Sequence, residues 1–118
     1  MPLFETPLLS LITKRLQYLD KRAEIITNNI SRADVMGAKH RDLKPFEEIL
    51  NKNKSIKSSS ALSSLNLSIN KNDVLTHSQN IEKDIEGLEL NHITMHQQSI
   101  IEVLNTIRKL LKTATSKI

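Results

Sequence analysis

The 118-residue chain has no cysteine and no tryptophan, one tyrosine, two phenylalanines, two glycines and three prolines. Each scarcity excludes something. Without cysteine there is neither a disulfide framework nor a thiolate metal site, and redox chemistry gives no sign of the compartment. Aromatic residues make up only 3% of the chain, too few to fill a thick globular core. Leucine and isoleucine packed along helix seams suit the composition better. Two glycines and three prolines supply too few turns for an all-β fold and too little glycine for a phosphate-cradling loop. No apolar run approaches the length that spans a bilayer. The opening Met1-Pro2-Leu3-Phe4-Glu5 lacks the basic and apolar regions of a cleavable signal peptide.

Charge is present but mixed. The net charge is +4, with 17 basic residues scattered among 13 carboxylates, a weak pointer to anionic partners. The basic cluster Lys52, Lys54 and Lys57 has no interleaved aromatics, so it reads as a solvated loop and not as a nucleic-acid site.

Along the chain, Thr6-Pro7 is a helix start, with Thr6 as N-cap and Pro7 as first helical residue. Apolar residues then recur at Leu9, Ile12, Leu16, Leu19, Ala23, Ile26 and Ile30, alternating three and four apart as a coiled-coil seam does. Asp34 breaks the pattern and Gly37 takes the left-handed position that ends a helix or centres a turn. Lys39 to Lys44 is polar and reads as extended or irregular. Pro45-Phe46-Glu47-Glu48-Ile49-Leu50 opens a short helix. From Asn51 to Asn72, Lys, Ser and Asn dominate; this reads as a linker, with Leu65, Leu67 and Ile69 alternating as a strand without a partner. Asn72 or Asp73, or a residue nearer Asn80, caps a second long helix. That helix carries two apolar rows of different phase: Ile81, Ile85, Leu88 and Met95, then Leu90, Ile93, Ile100, Leu104, Ile107, Leu111 and Ile118. A phase change of this kind rotates the buried face and implies more than one neighbour. Gly87 lies just before it.

Residues with chemistry are few. His92 and His96 stand one helical turn apart, a spacing that lets two imidazoles hold one Zn²⁺, and Glu89 adds a carboxylate. Without cysteine, and with His40 and His77 in polar surroundings, the set stays incomplete and the pair reads as packing or interface residues. Glu47 and Glu48 are adjacent and so face different sides of a helix. The Ser-rich stretch has no turn to place a nucleophile against a base. No enzyme, cofactor, metal or small-molecule substrate is expected.

The stretch from Asn28 to Leu50 is the most specific. Asn28 and Asn29 are poor helix formers where the apolar spacing still demands helix, so their amides are expected to serve backbone or partner groups. This stretch resembles the signature of the axial proteins of the bacterial flagellar rod and hook, which reads Asn-Asn-Ile-Ala-Asn-Ala-x-Thr-Pro-Gly-Tyr-Lys. In proximal rod members Asp-Leu and Phe-Glu-x-x-Leu follow. Asn28, Asn29, Ile30, Ala33, Gly37 and Lys39 match, as do Asp42, Leu43, Phe46, Glu47 and Leu50, with Asp34 at a small polar position. Arg32 stands where the family has Asn, and Val35-Met36 and Ala38 stand for Thr-Pro and Tyr. Ile81-Glu82-Lys83-Asp84-Ile85, Leu88 and Asn91 reproduce a second family spacing, with Met95 or His96 in place of its Tyr and Gln97 after it. The resemblance spans both long helices and the turn, and leaves Asn51 to Asn72 unmatched.

The expectation is therefore an all-α chain: two long helices pairing as a coiled-coil-like hairpin, with an irregular, partly disordered middle. Its segments are an N-terminal helix over residues 1–33, a signature turn and short helix over 34–50, a flexible linker over 51–72 and a C-terminal helix over 73–118. The helix-packing interface comprises the first-helix seam Leu9, Ile12, Leu16, Leu19, Ala23, Ile26 and Ile30 with Ile81, Ile85, Leu88, Ile100, Leu104, Ile107 and Leu111. The resemblance implies a homo-oligomeric structural component of the flagellar basal-body rod. Its location would be the periplasmic rod, reached through the flagellum's own export apparatus without a cleaved signal. The implied partners are other rod subunits, the adaptor between rod and membrane ring, and the export gate, and part of the chain would fold only on joining them. The other readings are a small helical-hairpin adaptor or chaperone that dimerises in solution and, third, a basic helical protein that binds nucleic acid.

Overall fold

A computed structural model of the chain describes residues 8–55 and 66–116. Helix α1 spans Ser10–Arg32, strand β1 Lys39–Leu43 and helix α2 Phe46–Ser55. A 3-10 turn at Lys71–Asp73 then leads into strand β2, Val74–Asn80, and helix α3, Lys83–Ser116. The strands form a two-stranded antiparallel sheet. Leu43, Asp42 and Arg41 face Val74, Leu75 and Thr76, after which the register shifts and Lys39 faces Asn80.

The core is one layer deep, in a molecule 63 Å long and 16 Å thick. α1 contributes Tyr18, Leu19, Ile25 and Ile26, β1 Leu43, α2 Ile49 and α3 Ile93. Each such side chain stabilises the fold by about 1.5–3 kcal/mol when fully buried. Tyr18 fixes the link between strand and helix: its hydroxyl donates to the Lys44 carbonyl at 2.9 Å, and its ring meets Phe46 edge-on at 5.3 Å. Burial pushes the Tyr18 phenol above its usual range, the Arg22 charge opposing it, so the hydroxyl remains a donor at neutral pH.

The all-α expectation does not hold. Lys39–Leu43 and Val74–Asn80 are strands, and the paired hairpin of two long helices is not what the chain forms. α1 and α3 do touch, through Arg22 with Glu89 and Asp20 with Gln97, but the sheet is packed into the same core. α3 begins at Lys83, after a strand that occupies the residues expected to open it. The physical reason is that β2 is exposed along nearly its whole length. Its Thr, His, Ser, Gln and Asn therefore show no apolar alternation, and its ladder comes from β1, far away in the chain. α2 also continues to Ser55, into the stretch expected as linker from Asn51. The expected helix start at Thr6-Pro7, the basic residue Lys57 and most of the Ser-rich stretch lie outside the described residues, as does Ile118. Residues 66–70 have no regular structure, so the strand expected over Ser64 to Ile69 is not formed in its described part.

Asp73 ties these elements together. It is buried, and its carboxylate accepts from Lys52 Nζ at 2.6 Å and from the Asn70 N–H at 2.9 Å. Its carbonyl accepts from the Lys44 N–H at 2.8 Å. Burial alone would raise its pKa. The Lys52 hydrogen bond, the Asn70 N–H and the charges of Lys52 and Lys44 outweigh that and hold it below the ordinary 3.8. A depressed folded pKa means the stabilisation is complete above the unfolded value and is lost as pH falls through the folded one. Urea midpoints measured at a series of pH values are thus expected to hold steady down to about pH 5 and then drop. Asp73→Asn is expected to lower the plateau and flatten that acid limb. A second expectation concerns Gly87, inside α3, where an added Cβ would meet no atom within 4 Å. Gly87→Ala should stabilise by about 1 kcal/mol in the same assay.

Candidate functional site

The signature stretch folds as the end of α1, a turn and β1. α1 stops at Arg32, and short backbone bonds follow: Ala33 N–H to the Ile30 carbonyl, Val35 N–H to Arg32 and Ala38 N–H to Val35. Gly37 closes the turn with φ of 80°, a left-handed conformation that a Cβ would strain.

The two asparagines divide their work between the faces of α1. Asn28 is exposed and its Oδ1 accepts from Arg32 Nε at 2.8 Å. Asn29 is 0% exposed. Its Nδ2 donates to the Arg41 carbonyl at 2.7 Å, and its Oδ1 accepts from the Arg41 N–H at 3.2 Å. This is the two-bond exchange that a neighbouring strand would make. The second Nδ2 hydrogen goes to Glu86 Oε1 at 3.0 Å, and Arg32 Nη2 donates to Oδ1 at 2.7 Å. Asn29 thereby joins α1, β1 and the first turn of α3.

Glu86 is 2% exposed, an unusual position for a carboxylate unless it is fully partnered. Its Oε2 lies 2.5 Å from His40 Nδ1. With a carboxylate that close, the proton assigned to Nδ1 is donated to Glu86. The His40 ring also lies beside His77, with centroids 5.3 Å apart. Next to this group, Arg22 grips Asp42 with two bonds of 2.9 and 3.0 Å and reaches Glu89 at 2.9 Å. The hydrogen bond to Asp42 leads the causes that raise the Arg22 pKa, and it remains charged throughout. At the rim, Lys39 Nζ donates to Asn80 Oδ1 and Lys83 Nζ to Asp34 Oδ2.

Of the signature residues, the structure thus brings Asn28, Asn29 and Lys39 into one network through Arg32, whose Nη2 also reaches the Lys39 carbonyl. Ile30 packs against the core. Ala33, Asp34 and Gly37 form the turn. Sequence reasoning did not find His40, Arg41, Arg22 and Glu86 as parts of this group. Asp42 carried a signal, since it matches the family pattern. Glu86 carried none, because the contact that explains its burial comes from a residue distant in sequence. His92 and His96 are exposed and border a cavity of about 250 Å³ beside Arg15 and Arg22, cationic surroundings for a second cation. Among the described residues, no three His, Cys, Asp or Glu side chains converge as a metal site.

The packing residues divide into three groups. Leu19 and Ile26 are buried, with Ala23, Ile30 and Ile100 packed on the same core. Leu9, Ile12, Leu16, Ile81, Leu104, Ile107 and Leu111 are half-buried. Ile85 and Leu88 are exposed, together with Met95, Val103 and Leu110. At 100° per residue these five share one side of α3, a stripe of about 38 Å at 1.5 Å per residue. Of the first apolar row of the sequence, Ile85, Leu88 and Met95 lie on this solvent side while Ile81 precedes the helix, and Leu90, Ile93 and Ile100 of the second row pack on the core.

Comparison with protein-family models and with curated proteins found no match.

Asn29 is the residue whose loss the fold should feel most at this site. Asn29→Ala leaves a backbone pair and a buried carboxylate short of partners, at about 1–3 kcal/mol for each buried group left unmade. A drop of about 3 kcal/mol in urea unfolding is expected, with Asn28→Ala costing well under half as much.

Proposed function

We propose that this chain is a structural subunit of the bacterial flagellar basal-body rod, similar to the proximal rod protein, and that it works by assembly and not by catalysis. The observation that carries the reading is the exposed stripe of α3. A second apolar face runs the length of a helix whose first face already closes the core. Large apolar side chains recurring on one solvent-facing side of a helix, here with His92, Ser99 and Thr106 between them, fit a contact with another molecule. The order and spacing of Asn28-Asn29-Ile30, Gly37, Lys39, Asp42-Leu43 and Phe46-Glu47 supply the family.

In this reading the core formed by α1, the sheet and α2 gives each subunit a fixed shape, and α3 presents the stripe to neighbouring subunits. Contacts between unlike surfaces propagate as an open helical array. The partners, by resemblance, are other rod subunits, the adaptor between rod and membrane ring, and the export gate. The site of action is the periplasmic part of the basal body.

Sedimentation velocity of the purified chain over a concentration series tests this. Association growing with concentration beyond a dimer is expected, and Met95→Glu with Val103→Glu should abolish it while far-UV circular dichroism stays unchanged. A discrete dimer at every concentration would favour the adaptor reading and remove the rod proposal.

A further inference from the structure

The described surface holds a second apolar feature, separate from the α3 stripe, and it comes in two complementary halves. At one end of α1, Met36 stands 98% exposed at the tip of the signature turn, with Val35 beside it. Large apolar side chains are seldom presented this fully. Near the other end of α1, an open apolar cavity of about 290 Å³ is lined by Leu11, Ile12, Arg15, Phe46 and Ile100. Leu8 and Leu11 are exposed at that end. Leu11 and Arg32 bound about 30 Å of helix at 1.5 Å per residue, so the tip cannot reach the cavity of its own chain. A second copy can.

We propose that Met36, flanked by Val35, seats in the cavity between α1 and α3 of a second copy of this chain. The inference rests on the assembly reading and names one of its contacts. Three observations select a second copy as the occupant. The first is fit: an unbranched thioether adapts to an irregular apolar gap and gains from the Phe46 ring in its wall. The second is charge. Arg15 lies over the Phe46 and Tyr18 rings, 4.9 and 5.3 Å from their centroids, and no carboxylate pairs with it among the described residues. Asp34, two residues before Met36, is exposed and among the described residues is held by a surface contact with Lys83, an interaction of little worth. Seating Met36 brings Asp34 toward Arg15. The third is rigidity. The tip is held by the Val35 and Ala38 backbone bonds and by Gly37 in its left-handed conformation, so little order has to be gained on docking.

Knob and cavity are different surfaces, so the contact is heterologous. Each docked copy still offers a free knob at one end and a free cavity at the other, and the series stays open.

The chain has no native cysteine, which permits a direct test. Met36→Cys and Leu11→Cys variants, each with a tag of different mass, are mixed in equal amounts and mildly oxidised. The mixed disulfide is expected to accumulate at least about tenfold faster than either like-with-like dimer. It should also outpace the product of Met36→Cys with the exposed-site control Gln98→Cys. In parallel, Met36→Asp, a change at a fully exposed site, should raise the concentration needed for association by about tenfold, equivalent to about 1.4 kcal/mol. A statistical mixture of disulfides, with association unmoved by Met36→Asp, overturns this contact and assigns the cavity to another occupant. If the unmodified chain still associates in that case, the assembly reading survives on α3 alone. A chain that stays monomeric at every concentration overturns both.

Discussion

Among the described residues the outer edge of β1 meets no third strand; the Arg41 N–H and C=O that would pair with one are taken instead by the carboxamide of Asn29. A two-stranded ribbon is marginal alone, and an open edge invites pairing with other chains. An amide placed on a helix meets both problems, because it offers donor and acceptor in the geometry of a peptide group. The sheet is anchored to α1, and that anchoring sets where the sheet crosses the core. Through its remaining N–H the same side chain reaches Glu86 and so positions the start of α3. The orientation of the longest helix follows from a bond made at the end of the first.

This polar junction is tightly partnered, and its cost and benefit differ by component. Glu86 is stabilised by Asn29 and His40, Asn29 by Arg32 and Arg41, and Arg22 by two carboxylates. A network satisfied to this degree rigidifies and specifies one arrangement, whereas removal of a single member leaves buried groups unpaired. A thin core made mostly of isoleucine and leucine has little shape specificity of its own. The junction supplies it.

How much of this was legible in the sequence differs from element to element. α1 was readable because Leu16, Leu19, Ala23 and Ile26 keep helical spacing, and the turn because Gly37 follows the break at Asp34. The start of α2 was marked by Pro45, and the pair of asparagines stood out against helix propensity. β2 was not readable, since its residues face solvent and neither alternate nor cluster. The first row of α3 was seen, but as a rotation of one buried face. Which row is buried depends on where α1 and the sheet already lie, and no local pattern carries that information. The same holds for Glu86, an ordinary acidic residue of a helix's first turn until Asn29 is placed opposite it.

The length of α3 has a consequence for supply. Its exposed apolar residues lie on the side of the helix turned away from the core, so covering them takes another surface. A cell that synthesises this polypeptide faster than it is consumed accumulates molecules whose sticky sides meet one another at random. On the assembly role proposed above, production and use would have to be matched in time, or the free chain escorted.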